Sequence, residues 1–442
     1  MNASNDKCRT GLLFNAALLA ALCAWPVDLA VGADAATTAP AAGRLEAADS
    51  GGAPSKRKIT VISPGAYKAV VSQSSGGGIT EVYDLSADPE CKTNLVWQDR
   101  GLLELGWHGA QYKVAGSTQP GNDGCADWPS QGHNELKAQG DMELVESTPA
   151  RVRVHVKSDF TWWSKQVHKG FGVDCTYTFW PAGRIACAVT VANDGEKPFH
   201  WSGEYGPHLT VRSRAGKPNG EPLGFGTPKF PEWKGASAAE ELTMAYPTSG
   251  EVKAGLLITI PKEQEKLFPR HMRHQGSSIG WDRAGYGSNG IVMEKGYKST
   301  WACMIQLGAQ GSALLPELKA PKDGLPIAAD YRTPARISGA ELVTDDPGDL
   351  NKDGFNESEG CYVLKDKGPV TLTFEPAKDS AAFAPAFKIK GWQSQAIVRA
   401  SVDGKEAQAV AGGDKDGLVV QILGKLPAGK CTIKIGGGDR AP

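Results

Sequence analysis

The stretch from Thr176 to His200 constrains this 442-residue chain more than any other, because it writes out two strands and the turns that bound them. Thr176-Tyr-Thr-Phe-Trp180 and Ile185-Ala-Cys-Ala-Val-Thr-Val191 are built from aromatic and β-branched residues, which suit a pleated surface. Between them, Pro181-Ala-Gly-Arg184 supplies a fixed φ and a glycine able to take positive φ, as a tight reversal requires. A second turn signal, Asn193-Asp-Gly195, is expected to return the chain into a third strand carrying Lys197-Pro-Phe-His200. No helical period runs through this region, and the reading is a meander.

The same signals recur on both sides. Lys58-Ile-Thr-Val-Ile62, Ala69-Val-Val-Ser72, Arg151-Val-Arg-Val-His-Val156, Gly255-Leu-Leu-Ile258 and Ser299-Thr-Trp-Ala-Cys-Met-Ile-Gln-Leu307 are short, β-rich and separated by Gly-rich turns. The fold class is therefore all-β: a large antiparallel two-sheet sandwich over residues 58–315. Residues 316–333 turn to Pro, Lys, Ala and Asp and read as a linker. Residues 334–442 then carry further strand signals, enough for a smaller, jelly-roll-like β-sandwich.

The N-terminal residues set the expected location. Lys7 and Arg9 precede an apolar run from Gly11 to Trp25 and the small residues Val31-Gly-Ala33, the pattern of a secretory signal over residues 1–33. The run is shorter than the roughly 20 residues that a membrane-spanning helix needs. Residues 34–57, rich in Ala, Thr, Pro and Gly, are expected to form a flexible tether. The mature chain would be secreted, periplasmic or held in the cell envelope. With 48 Lys and Arg against 49 Asp and Glu, the net charge of −1 excludes the basic surplus on which nucleic-acid binding depends. Cys175 and Cys187 flank the Pro181 turn on adjacent strands, where either a bridge or two buried thiols fits.

A strand, a turn with glycine at its third position, a strand ending in Asn-Asp-Gly and then Lys-Pro-Phe resembles the central hairpin of the galactose-mutarotase-like β-supersandwich. That fold is shared by sugar epimerases and by domains of polysaccharide-degrading enzymes. The resemblance implies a carbohydrate-active protein whose partner is a polysaccharide or oligosaccharide. It leaves open lyase or hydrolase chemistry at a cleft on the large sandwich, or a non-catalytic module that presents polymer to partner enzymes. Aldose epimerases carry Asn-x-Thr-Asn-His-x-Tyr-Phe after the equivalent hairpin. Here Glu204 stands at the position of their catalytic His and Pro207 at that of the Phe, so epimerase activity is not implied.

Four groups of residues could carry chemistry. On one extended strand His200 and Glu204 would share a face, with His208 at its far end, and these three are the candidate catalytic residues. Arg270, His271 and His274 form a basic cluster that would either contact an anionic sugar or remain a solvated loop. Trp163, Trp233 and Trp281 lie in the least strand-like surroundings of the Trp-rich first sandwich and are candidates to stack on sugar rings. Finally, Asp349-Leu-Asn351-Lys-Asp353-Gly-Phe355-Asn-Glu357-Ser-Glu359 places oxygen donors at alternate positions with glycine at the sixth. It resembles the calcium loops of dockerins and EF-hands, and implies structural Ca2+ held by Asp349, Asn351, Asp353, the Phe355 carbonyl, Glu357 and Glu359. It departs from them in having Gly360 at the twelfth position and a strand, not a helix, after it.

Overall fold

The computed structural model describes residues 43–86, 88–96, 101–106, 113–114, 126–128, 140–162, 167–196, 198–201, 205–210, 224–226, 243–246, 256–259, 272–275, 278–282, 291–306, 334–376, 384–394, 397–427 and 429–437. Their secondary structure is almost wholly β, relieved by a single short 3-10 turn at Gln73–Ser75. Residues 42–442 form one compact unit.

The first sheet is a four-stranded antiparallel meander of β1 (Glu46–Asp49), β2 (Lys58–Ser63), β3 (Tyr67–Ser72) and β4 (Gly78–Asp84). β2 alternates as a half-buried strand should, with Ile59 and Val61 inward. β1 corrects the expected tether: its end, 43–57, is ordered. Glu46 to Asp49 pair with Ile62 to Ile59, Leu45 is buried, and Arg57 holds Asp49 at 2.7 Å. Ala-rich residues have little strand preference of their own, so an open edge on β2 and a place for Leu45 in the core override local propensity.

Facing this layer is a sheet that runs, among the described residues, through twelve strands in line. In order they are β14 (Gly224–Gly226), β15 (Thr243–Tyr246), β16 (Leu256–Thr259), β20 (Tyr297–Gln306), β11 (Arg184–Asn193), β10 (Val167–Trp180), β9 (Val152–Trp162), β7 (Ala126–Trp128), β5 (Leu103–Gly106), β13 (Tyr205–Thr210), β18 (Ser278–Asp282) and β17 (Met272–Gln275). β8 (Asp141–Ser147) also pairs with β9. β10 and β11 are the expected hairpin, in unbroken register from Phe171↔Asn193 to Trp180↔Arg184, with Gly183 at φ 79 closing the turn. The third strand differs from expectation. The Asn193 turn is bound to Gly170, which accepts from the Asp194 and Gly195 N–H groups, and it directs the chain off the sheet. Phe199–Trp201 becomes β12 of a separate sheet with β6 (Lys113–Val114) and β19 (Ile291–Met293), and β20, far along the chain, takes the place beside β11.

Inward-facing residues of β9, β10, β11 and β20 include Val154, Val156, Val173, Tyr177, Phe179, Val189, Trp301 and Ile305, which meet Ile59, Tyr67, Val71 and Ile79 of the first sheet in one buried core. Cys175, Cys187 and Cys303 lie here as free thiols. Register sets Cys187 opposite Tyr177 on one side and Cys303 on the other, while Cys175 faces Val189, so no Cys175–Cys187 bridge forms. Burial pushes all three described neighbours, Cys175, Tyr177 and Cys187, well above their usual range.

The C-terminal strands stack as two further sheets. One is β21 (Arg336–Ser338), β25 (Val370–Glu375), β31 (Cys431–Gly437), β27 (Val398–Val402) and β28 (Lys405–Ala407). The other is β22 (Glu341–Leu342), β24 (Cys361–Lys365), β26 (Ala386–Lys390), β30 (Gly417–Ile422) and β29 (Ala409–Asp414), with β23 (Phe355–Asn356) added to β24. Tyr362 centres their core, 4.8 Å from Phe355, 5.4 Å from Phe374 and 5.7 Å from Phe387 between ring centroids. Its hydroxyl accepts from the Ala335 N–H at 2.8 Å, which satisfies the polar atom that an aromatic core would otherwise strand.

The two cores meet at the Pro181 turn. The Trp180 indole N–H donates to the Glu359 carbonyl at 2.8 Å, the Ala182 N–H to Gln421 at 2.9 Å, and Arg184 to the Gly360 carbonyl at 3.2 Å. Ala150, Trp180, Cys361, Ala386, Val410 and Val419 form a buried apolar seam around these bonds. Beside it Arg151, 1% exposed, reaches Glu146 at 2.8 Å, Glu359 at 2.7 Å and Asp414 at 2.6 Å. Burial opposes its charge, yet Glu359 and Glu146 outweigh that and raise its pKa further. Lys388 stands 3.8 Å from Glu359 and 3.9 Å from Asp414. Arg151→Ala would leave three carboxylates desolvated around a lost cation, and is expected to cost about 3–5 kcal/mol in urea denaturation. Arg151→Lys, which keeps charge but not the fork, should fall between this variant and the parent.

Candidate functional site

Two features of the described residues can carry chemistry: the acidic loop from Asp349 to Glu359, and a polar groove on the outer face of the large sheet.

The loop is wound around Asp349. One carboxylate oxygen accepts from the N–H groups of Lys352 at 2.7 Å and Asp353 at 3.2 Å, and the other from that of Gly354 at 2.7 Å. The winding needs Gly354, which sits at φ 88, and whose added Cβ would lie 2.5 Å from Leu342. The turn brings carboxylate oxygens of Asp349, Asp353 and Glu357 within 4.8 Å of one another, a set that could hold a metal ion. Glu357 is fully buried and accepts from the Leu350 N–H at 2.8 Å. Burial first, then the charges of Asp353 and Asp349, push its carboxyl up to about 8, against the bond from Leu350.

The other expected ligands are Asn351, the Phe355 carbonyl and Glu359. Asn351 donates its amide to Asp353 at 3.0 Å. Phe355 forms β23 and puts its ring in the Tyr362 cluster. Glu359 is turned away from the cluster, because Arg151 at 2.7 Å and Arg153 at 3.5 Å claim its carboxylate.

The groove arises from one sheet face with two fates. Side chains alternate along β9, β10, β11 and β20, so those not in the core point outward together. At one end the outer positions Arg151, Trp180, Arg184, Ala186, Met304 and Gln306 are buried where the C-terminal strands pack. Toward the other end the same rows open through His155 and Thr176 to Lys157, Asp174, Thr300 and Lys298. Here lies a cavity of about 430 Å³, lined by Lys157, Asp159, Asp174, Asp194, Lys298 and the Thr190–Thr300 pair among others. The two threonine hydroxyls are 2.8 Å apart, and His155 Nε2 lies 2.8 Å from Asp174.

A break in β10 shapes the groove. The register with β9 slips between Val167 and Gly172, and a Cβ at Gly172 would fall 2.1 Å from the Ser158 carbonyl oxygen. Only glycine permits that approach. The slip lets the Gly170 N–H donate to Asp159 at 3.1 Å, holding that half-buried carboxylate in the groove. Burial raises the Asp159 carboxyl above its usual range, against the Gly170 bond and the charges of Lys157 and Lys169.

The expected catalytic strand is not one strand. His200 belongs to β12, opposite Val292 and Lys113, and His208 to β13, opposite Gly280 and Glu104, in different sheets. The backbone of His208, His274 and Trp281 does share the neighbouring strands β13, β18 and β17 at one end of the large sheet, with His274 opposite Ile279 and Trp281 opposite Met272. Glu204, Arg270, His271, Trp163 and Trp233 lie outside the described residues. None of the groove residues stood out in sequence. The available signal was the period-2 row His155, Lys157, Asp159 on one strand facing Asp174 and Thr176 on the next, all five polar.

No protein-family model matches the chain, and no curated protein matches it in sequence. Several solved structures follow part of its course. A putative aldose 1-epimerase from Klebsiella pneumoniae subsp. pneumoniae MGH 78578 is 11% identical, with 60% of this chain and 84% of that one covered at a TM-score of 0.33. A galactose mutarotase-like protein from Lactobacillus casei ATCC 334 is 15% identical, with 57% and 99% covered at 0.31. A polysaccharide lyase is 11% identical, with 90% of this chain but 47% of its own covered, so this chain spans about half its length, at 0.26. Likenesses this loose assign no residue and no chemistry to this chain.

Proposed function

We propose that this protein is carbohydrate-active, and that it binds a polysaccharide or oligosaccharide in the groove on the open half of β9, β10, β11 and β20. The observation that carries the reading is the groove's lining. Carboxylates, ammonium groups and hydroxyls converge on about 430 Å³, a volume within the range of small-ligand sites. A ligand there must offer many hydrogen-bonding groups of both senses and little apolar surface, as a sugar's hydroxyl array does. Charge-assisted bonds from hydroxyls to Asp174 and Asp194 are the stronger kind. The lining carries three aspartates against two lysines, Lys157 and Lys298, and so lacks the basic surplus that a polyphosphate backbone requires.

The acidic loop supplies the second element, a calcium ion in a structural role. The donor set fits: three carboxylates and no nitrogen or sulfur suit a hard cation. Asp349, Asp353 and Glu357 would hold it, Glu357 giving up the proton that burial favours as the cation offsets the cost of its buried charge. The ion would brace a loop whose far end, Glu359 and Gly360, takes the bonds from Trp180, Arg151 and Arg184. No step of sugar chemistry is assigned to it.

Two outcomes are expected. In calorimetry against a polysaccharide panel, Thr300→Val and Asp174→Asn should each weaken binding of the preferred sugar by about 1–3 kcal/mol. Affinity unchanged in both would remove the groove from consideration. In thermal melts, calcium at a hundredfold its Kd should stabilise the protein by about 2.7 kcal/mol, and Glu357→Gln or Asp353→Ala should abolish the difference. Identical melts with calcium and with chelator would count against the ion.

A further inference from the structure

We infer that Cys187 and Cys303 are a disulfide-forming pair, which ties β11 to β20 on the inner face of the large sheet when the chain folds in the presence of a disulfide oxidant. The inference stands on the register of those two strands and is independent of the proposed saccharide binding.

Cys187 and Cys303 are directly opposite in a ladder that runs without a slip from Arg184↔Gln306 to Asn193↔Tyr297. Directly opposite residues of an antiparallel pair have Cα atoms about 4.5–5.5 Å apart and side chains on the same face. A disulfide spans Cα separations of about 4.4–6.8 Å, so this bond closes without moving either strand. Both thiols are fully buried in one core cluster, and they are hydrogen-bonded to each other.

No other described cysteine has such a partner. Cys175 stands opposite Val189, which leaves it diagonal to Cys187, and diagonal positions are about 7–8 Å apart, past the reach of a bridge. Cys361 stands opposite Asn356 and Cys431 opposite Phe374, while Cys91 lies outside the strands.

The bond would sit at the base of a long excursion, since residues 188–302 carry β12 through β19 before the chain returns as β20. A crosslink there removes freedom from the unfolded chain, and removes more the longer the loop it closes. Three residues further on, Thr190 and Thr300 meet on the outer face, so the bond also pins from beneath the register that brings their hydroxyls together.

The oxidant is a disulfide, either glutathione disulfide or that of a protein. One cysteine thiolate attacks it, forming a mixed disulfide and expelling one oxidant thiolate. The second cysteine thiolate then attacks the mixed disulfide, forming the Cys187–Cys303 bond and expelling the other. Two thiols are oxidised, one disulfide is reduced to two thiols, and the two protons pass through solvent to the departing thiolates. Only a thiolate exchanges, and the finished core seals both thiols from water. Closure therefore belongs to the folding chain, before β20 docks on β11, and the finished bond is as sheltered as the thiols it replaces.

The test refolds the full chain from denaturant in two ways, with a glutathione and glutathione disulfide mixture and with excess reductant, then alkylates free thiols under denaturing conditions and maps the peptides. The oxidised preparation should yield one linked peptide pair joining Cys187 to Cys303, with Cys175 alkylated. It should melt about 5 °C above the reduced one. Without denaturant, reductant should leave the link intact. Cys303→Ala should melt alike in both preparations, whereas Cys175→Ala should keep the difference. Alkylation of both Cys187 and Cys303 after oxidative refolding, or a link from either to another cysteine, would overturn the assignment, as would a melting difference that survives Cys303→Ala. Should that variant fail to fold, the peptide map of the parent chain decides alone.

Discussion

Arg151 and the Pro181 turn beside it are the junction on which the rest of the molecule depends. A guanidinium at 1% exposure is costly unless every donor is met, and here three carboxylates from separated parts of the chain meet it. Glu146 comes from β8, Glu359 from the end of the acidic loop and Asp414 from β29. The turn itself is held from both sides. Ser63 and Tyr67 donate hydroxyls to the Pro181 and Trp180 carbonyls from within the first sandwich, while Trp180, Ala182 and Arg184 donate outward to the second.

Docking of the C-terminal strands on this turn has a consequence for the sheet. They cover the outer face of β10 and β11 only at the hairpin end, burying Trp180, Arg184 and Ala186. Further along, the same rows stay open, and the β10 break at Gly172 lets Asp159 face the cavity with Asp174 and the Thr190–Thr300 pair. Groove and junction are thus two ends of one face, and the extent of coverage decides which outer residues become structural and which remain available to a ligand.

The acidic loop is tied to the same junction through covalent continuity. Asp349 winds residues 351–354 around its carboxylate, Glu357 buries beneath them, and within three residues the chain delivers the Glu359 and Gly360 carbonyls to Trp180 and Arg184. Gly360 occupies φ 70, and a Cβ there would sit 3.1 Å from that of Ala186, so the close approach of the two sandwiches passes through a glycine.

What the sequence by itself determined was local. Alternating β-branched and aromatic residues around Pro181-Ala-Gly-Arg184 were enough for the hairpin, because turn chemistry and a period of two are properties of neighbouring residues. The acidic loop was equally legible, since Asp349, Asp353 and Glu357 converge through Gly354 within a single turn. Tertiary structure alone decided the rest. It placed β20 beside β11 and sent Phe199–Trp201 to another sheet, because strand partners are chosen by core packing across a hundred residues. It gave Glu359 to Arg151, and it opposed Cys187 to Cys303 in place of Cys175. It also made a groove of Asp159, Asp174, Thr190 and Thr300, residues on four strands whose convergence depends on register and on how far another part of the chain covers the sheet, neither of which a linear pattern encodes.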